Sequence, residues 1–172
     1  KARGAYGERG TGRVKMQFNS KEDTEAPIEA VFTAIQDFET FERGAMRRGA
    51  EVSRIDSIKN QGLGSAWAAR FEMRGRRRDV EIKITHFERP SGYTASFQSQ
   101  GMEGDFIIEL VALSKNRTRM SISMELKPKT LSARLLVQSL KLAKTNLNKR
   151  FQMRVAEYSR DLEDRLKGGT MV

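Results

Sequence analysis

Apolar and polar side chains alternate along most of the chain between residues 50 and 128. The alternation falls into six stretches: residues 50–57, 65–74, 77–88, 93–98, 105–112 and 119–126. Successive side chains of a strand point to opposite faces, so a period of two predicts six strands. Turn sequences such as RPSG and SKNR separate the later stretches, and we therefore expect neighbouring strands to pair as antiparallel hairpins.

The chain before these strands predicts one more strand and two short helices. Residues 14–23 alternate between apolar and polar side chains, as a first strand would. Ile28, Val31, Phe32 and Ile35 then recur at helical spacing after a proline that suits a helix start. A second short helix is predicted at 38–47, where a glycine soon ends the pattern.

A long stretch with helical periodicity closes the chain. Residues 129–167 contain no proline or glycine, and apolar side chains recur there at steps of three and four. Thr130 is a candidate N-cap, and two glycines follow residue 167. The pattern predicts one helix that is roughly 55 Å long.

These elements together predict an α+β fold. Most of the later strands have one apolar face and one largely polar face, which is typical of an antiparallel sheet covered on one side. The apolar stripe of the long helix must also be buried, so we expect this helix to cover the apolar face of a seven-stranded sheet.

The segment EAPIEAVFTAIQDFETFE at residues 25–42 is similar to the opening segment of many bacterial proteins of one superfamily. The order of elements resembles the same superfamily, the START and birch-pollen-allergen-like (SRPBCC) proteins, which include polyketide cyclases/dehydrases and lipid-transport proteins. This resemblance implies a helix-grip fold, in which a curved antiparallel sheet wraps around the C-terminal helix. It also implies a bacterial protein with a cavity for apolar or amphipathic ligands between helix and sheet.

The apolar sheet face and the facing stripe of the helix supply the candidate ligand-binding residues. Aromatic and methionine side chains at these positions either line a pocket or form a packed core. The candidates are Trp67, Phe71, Met73, Tyr93, Phe97, Phe106, Ile108, Met120, Ile122, Met124, Leu140, Leu147 and Phe151, with Leu136 beside them on the helix.

Candidates for catalysis and metal binding are few. His86, the only histidine, and Tyr93 lie in the phase of the apolar face, and they are the best available acid–base groups. The alternative for Trp67 and Tyr93 is that their polar atoms bond to nearby protein groups. With no cysteine and one histidine, we expect no metal site, and the sequence indicates no cofactor.

The chain is strongly basic, with a formal net charge of +10. A run of arginines, RGRRR at 74–78, and the lysines and arginines of the long helix could meet an anionic membrane surface transiently. No aromatic residues interleave the arginines and no nucleic-acid-binding motif is present, so we do not expect nucleic-acid binding.

We therefore expect a helix-grip domain at 14–167 between a flexible basic tail at 1–13 and a short tail at 168–172. Met16 is a candidate natural start, in which case the first residues are not native. We expect a cytoplasmic monomer or homodimer that binds or carries a hydrophobic small molecule such as a lipid, an isoprenoid or a polyketide. Two alternatives stay open: a polyketide cyclase/dehydrase-like enzyme, and a packed interaction module that uses its basic surface.

Overall fold

The alternating stretches form one antiparallel sheet, and the helical stretches pack against it. The computed structural model describes residues 15–168. Its strands are β1 (Met16–Thr24), β2 (Glu51–Arg54), β3 (Ala66–Met73), β4 (Arg76–Glu88), β5 (Gly92–Ser99), β6 (Met102–Ser114) and β7 (Arg117–Pro128). Its helices are α1 (Ile28–Ile35), α2 (Phe38–Arg47), α3 (Leu131–Leu142) and α4 (Lys144–Gly168).

The strand order across the sheet is β1-β7-β6-β5-β4-β3-β2, and every neighbouring pair is antiparallel. The predicted α+β helix-grip arrangement is confirmed, including the two short helices between the first and second strands. We call the face that packs against the helices the inner face and the opposite face the outer face.

The main core lies where α1 meets the inner face, and we call it the α1 cluster. Val31, Phe32 and Ile35 of α1 are fully buried there. The other buried members come from the sheet, the loop before α1, α2 and α4: Ala26, Phe38, Trp67, Ile84, Tyr93, Ile108, Leu110, Met120, Ile122, Val155 and Leu162. Burial of this many apolar side chains supplies most of the driving force for closing the sheet around the helices.

A second and smaller core, the Met16 cluster, lies under α3 and the start of α4. Its buried members are Met16, Phe18 and Val137. Partly buried side chains surround them: Met102, Met124, Leu126, Leu140, Leu147 and Phe151. The inner face therefore carries two packed regions rather than one.

The predicted single C-terminal helix is interrupted, and this is a correction to the sequence analysis. Ala143 separates α3 from α4, with its N–H bonded to Leu140 O at 3.0 Å in a tighter turn. The apolar stripe continues across the break, so its period gave no sign of it. The two helices follow different strands, since α3 packs on β7 and α4 packs on β1. The predicted cap is confirmed, because Thr130 Oγ1 accepts from the N–H of Ala133.

The predicted N-terminal tail and nearly all of the predicted C-terminal tail lie outside the described residues. Within residues 15–168, no helix has the length and apolar character needed to cross a membrane.

Gly92, at the start of β5, provides a test of this packing. Its φ of +141° is unfavourable for other residues, and a Cβ there would run into the backbone carbonyl of Ile108 on β6. We expect Gly92→Ala to lower the free energy of unfolding by roughly 2–5 kcal/mol, measured by urea denaturation.

Gly75 is the matched control, because its φ is +72° but a Cβ there meets no atom within 4 Å. Gly75→Ala should cost only the backbone strain, about 1–2 kcal/mol. Equal losses in the two variants would contradict the close approach of β6 to Gly92.

Candidate functional site

Trp67 is held from three sides at the end of the sheet near α2. Its indole N–H donates a hydrogen bond to the Glu42 carboxylate, and its ring packs edge-on against Phe38. The guanidinium of Arg54 lies 5.1 Å from the ring centroid on another side. A cation at this distance is attracted to the π face. The indole is therefore a structural element, with its polar atom already bonded.

Asp56 keeps Arg54 in place. Its carboxylate accepts two hydrogen bonds from Arg54, at 2.7 and 2.8 Å, and two more from the N–H groups of Ala66 and Ile58. The Arg54 hydrogen bonds, aided by those backbone donors, hold the pKa of Asp56 well below its ordinary value. The ion pair ties the loop between β2 and β3 to the end of β2, and the hydrogen bond from the Ala66 N–H ties it to the strand that carries Trp67.

Tyr93 is buried in the α1 cluster, and its hydroxyl is also used internally. The hydroxyl donates to Ile35 O at 2.7 Å, and its ring packs edge-on against Phe38. Burial raises the pKa of this phenol well above its ordinary value. A group that is buried, bonded to backbone and hard to ionise is unsuited to acid–base catalysis.

His86 does not lie on the inner face, which corrects the sequence analysis. The pairing of β4 with β5 shifts register between Ile84 and His86, so the side-chain alternation changes phase there. Phe87 packs inward against Phe32 instead, while the His86 side chain is 67% exposed. Its Nε2 lies 3.6 Å from Glu88 on the surface, away from the predicted pocket.

The predicted ligand-binding residues divide into three groups by burial. The first group is buried in the α1 cluster and consists of Trp67, Tyr93, Ile108, Met120 and Ile122. The second is half-buried and consists of Phe71, Phe97, Phe106, Met124, Leu140, Leu147 and Phe151. Met73 is exposed at the β3–β4 turn. The buried residues pack against one another in the core, so a ligand would have to lie beside the half-buried residues.

Three half-buried apolar side chains, Phe71, Phe97 and Leu136, belong to neither packed cluster. The ring of Phe97 lies over Gly104 of the next strand, where any side chain would collide with it. We call the part of the inner face around Phe71 and Phe97 the open end. The helices pack mainly on other strands, with α3 on β7 and α4 on β1.

Arg78 is a residue of the open end that sequence reasoning missed. It stands opposite Phe71 in the β3–β4 pairing, and its Nη1 donates to Gln100 Oε1 at 3.0 Å. Its Nε is buried and has no hydrogen-bond partner among the described residues. The signal was present in the sequence, because Arg78 shares the phase of Val80 and Ile82, but the arginine run suggested a solvated turn.

Solved structures with the same architecture come from several kinds of protein. The Zhui aromatase/cyclase from a Streptomyces species has a TM-score of 0.67 at 10% identity, covering 92% of this chain and 100% of its own. A truncated norcoclaurine synthase from Thalictrum flavum has a TM-score of 0.56 at 14% identity, covering 78% and 91%. A START superfamily protein from Mycobacterium smegmatis has a TM-score of 0.52 at 11% identity, covering 81% and 98%.

The chain has the helix-grip fold that these three structures share. The resemblance in the order of elements is thereby confirmed for the fold. No family profile matches the sequence, and no curated protein sequence matches it. At such low identities the helix-grip fold alone is shown, and ligand and activity must be argued from the residues.

Two open clefts lie along the helix-grip sheet. The larger, of about 890 Å³, runs across β2–β6 to Lys129, and its lining includes the outer-face side chains Glu51, Arg70, Asp79 and Glu81. The smaller, of about 190 Å³, contains Phe97, the one predicted ligand-binding residue in either cleft. The large cleft is thus bordered mainly by polar groups.

Within residues 15–168, no cluster of three or more His, Cys, Asp or Glu side chains is placed to hold a metal ion.

The Asp56 ion pair predicts a pH dependence of stability. The pKa of Asp56 is lower in the folded protein than its ordinary 3.8, so its carboxylate stabilises the fold above that pH. This contribution is lost as the pH falls through the lowered pKa. We expect Asp56→Asn to destabilise the protein at neutral pH, and the difference from wild type to shrink as the pH falls below 3.8. Urea denaturation across this range measures it.

Asp161 provides the control, because it is exposed on α4. Asp161→Asn should change stability little at any of these pH values. A gap between Asp56→Asn and wild type that stays constant with pH would rule out the ionised Asp56 as the cause.

Proposed function

We propose that the protein binds an amphipathic small molecule at the open end of the inner face. One observation carries this proposal: Phe71 and Phe97 stand outside both packed clusters, and Phe71 is paired across β3 and β4 with Arg78, whose Nε is buried and has no hydrogen-bond partner among the described residues. Phe71 and Phe97 are partly exposed, and a ligand that removes their apolar surface from water lowers the free energy by about 25 cal/mol per Å². The ligand's apolar part would lie against these two rings.

Arg78 would receive the polar end of the ligand. A buried donor without a partner costs free energy, and a ligand oxygen that accepts from it removes that cost. A guanidinium prefers a carboxylate or phosphate oxygen to a neutral one, since charge-assisted hydrogen bonds are the stronger kind. We therefore propose a ligand with an apolar body, such as a lipid, isoprenoid or polyketide, and an anionic or strongly polar head.

The packing supports the open end as the location. Trp67 and Tyr93 have their polar atoms bonded within the protein, and their rings are packed in the α1 cluster. A ligand there would have to displace close-packed side chains. At the open end it meets side chains that are already half-exposed.

A binding function fits the side chains better than the enzymatic alternative. A cyclase or dehydrase needs an acid–base group facing the substrate. His86 is on the surface, and the Tyr93 hydroxyl is bonded to the backbone of α1. Two of the similar folds are enzymes by name, an aromatase/cyclase and a norcoclaurine synthase, so the fold is compatible with small molecules without specifying this one.

Binding of a dansylated undecanoic acid and of its methyl ester, followed by fluorescence titration, tests the proposal. We expect Arg78→Met to weaken binding of the acid by roughly ten- to a hundredfold, because a charge-assisted hydrogen bond is worth about 1.5–3 kcal/mol. The affinity of Arg78→Met for the methyl ester should differ little from that of wild type. Phe71→Ala and Phe97→Ala should weaken both probes, since both lose apolar contact area.

Two substitutions serve as controls. Ile122 lies in the α1 cluster, so Ile122→Val should lower the free energy of unfolding by about 0.5–1.5 kcal/mol without changing the affinity for either probe. Leu113→Ala lies on the exposed part of β6 and should change neither. The proposal fails if wild type binds neither probe, or if the Arg78 and Phe71 variants bind as tightly as wild type.

A further inference from the structure

Helix α3 exposes three leucines on the side away from the sheet. Leu131, Leu135 and Leu142 are 73%, 58% and 92% exposed. At about 100° per residue they lie within about 40° of one another around the helix axis, and we call them the leucine stripe. The buried side chains of α3, Ala133 and Val137, point the opposite way. The leucine stripe is therefore not part of the core, and no element within residues 15–168 covers it.

The leucine stripe lies in the longest stretch of the chain that has no acidic residue. Residues 126–156 contain eight lysines and arginines and no aspartate or glutamate. Lys127 and Lys129 of these pair with Asp105 and Glu103 on β6. The remaining six form no ion pair with a described carboxylate: Arg134, Lys141, Lys144, Lys149, Arg150 and Arg154. Arg134 and Lys141 lie on one flank of the leucine stripe.

We propose that α3 docks on an anionic phospholipid surface through the leucine stripe and its flanking cations. Apolar side chains enter the boundary between head groups and acyl chains, while lysine and arginine meet the lipid phosphates and carboxylates. The exposed leucines and the cations together indicate an anionic phospholipid surface. Either feature alone would be compatible with other partners.

The charge pattern argues against a second copy of the chain as the partner. A symmetric contact through the leucine stripe would place Arg134 and Lys141 of one copy near the same residues of the other, because an isologous interface repeats one patch on both sides. Unpaired cations brought together in this way repel each other. A nucleic acid would satisfy the cations but would leave the three leucines exposed to water.

The docked position brings the open end close to the lipid. Thr130, which caps α3, packs against Gly101 in the β5–β6 turn, and the neighbouring Gln100 accepts the hydrogen bond from Arg78. One short segment therefore connects the start of α3 to the rim of the open end. The docking proposal does not depend on a ligand being bound there, because it concerns only the outer side of α3.

Co-sedimentation with vesicles tests the proposal. The vesicles consist of phosphatidylcholine alone or of phosphatidylcholine with phosphatidylserine, and the free and bound protein are measured for each. We expect wild type to bind the phosphatidylserine vesicles much more tightly, with an affinity that falls as salt is added. Leu135→Ser/Leu142→Ser should lower the partition coefficient on the order of tenfold. Arg134→Gln/Lys141→Gln should lower it on the order of thirtyfold on anionic vesicles only, at about 1 kcal/mol per cation.

Each variant has a matched control on another surface. Leu63→Ser removes a leucine that is 61% exposed in the β2–β3 loop, and Lys115→Gln removes a cation in the β6–β7 turn. Both should retain wild-type binding. All the substituted side chains are exposed, so thermal unfolding followed by circular dichroism should show wild-type melting for every variant.

Three results would overturn the proposal. The first is that wild type does not bind phosphatidylserine vesicles, or that the leucine and cation variants bind as well as wild type. The second is a dimer in sedimentation equilibrium that the leucine variant converts to a monomer without any change in vesicle binding. The third is tight binding to a fluorescent DNA duplex in the absence of vesicle binding, which would assign the cations to nucleic acid.

Discussion

Burial of α1 between the sheet and α4 is the constraint on which the rest of the molecule depends. Val31, Phe32 and Ile35 reach the inner face with no exposed surface. Two buried hydroxyls fix the backbone at either end of this helix, because Tyr93 donates to Ile35 O and Thr118 donates to Ala26 O. A helix bonded in this way closes one end of the curved sheet, so any space for another molecule must lie elsewhere along it.

The open end, at the other end of the sheet, differs in that it contains a charged side chain, Arg78, on the inner face. A guanidinium on the inner face of a sheet requires acceptors, and Gln100 provides one of them for Arg78. The Nε of Arg78 has no partner within residues 15–168, and a buried donor without a partner carries a free-energy cost. Natural proteins accept such local costs mainly where function requires them. The polar group and the incompletely packed aromatic side chains thus occur together, at the end that α1 does not fill.

Much of the fold could be predicted because it follows from local periodicity. The alternation along residues 65–74 and 105–112 is the direct signature of a half-buried strand, and the corresponding strands β3 and β6 are present. The predicted position of His86 on the inner face was wrong because of a β-bulge. A bulge adds one residue without any distinctive composition, and it reverses the face of each side chain until the strand ends.

The candidate site could be predicted only in part, because packing depends on the whole structure. Trp67 and Phe71 occupy equivalent phases of the same strand, yet one is buried in a cluster and the other is half-exposed. No pattern in the sequence distinguishes them. The alternation along β4 could have placed Arg78 on the inner face, but an arginine in a run of arginines is ordinarily solvated. The break at Ala143 coincides with the change from β7 to β1 beneath the two helices, and this change is not visible in the local periodicity.

That break makes the two C-terminal helices unequal in how firmly they are held. Helix α3 buries only Ala133 and Val137 completely, both of them small, whereas α4 buries Val155, Ser159 and Leu162 and adds the Thr24–Ser159 hydrogen bond. A segment with less buried apolar surface opens at a lower free energy than its neighbours. Because the break at Ala143 lies between them, we expect α3 to separate from the sheet at a lower free energy than α4. Amide hydrogen exchange should therefore be faster in α3 than in α4, and the change in rate should fall at Ala143.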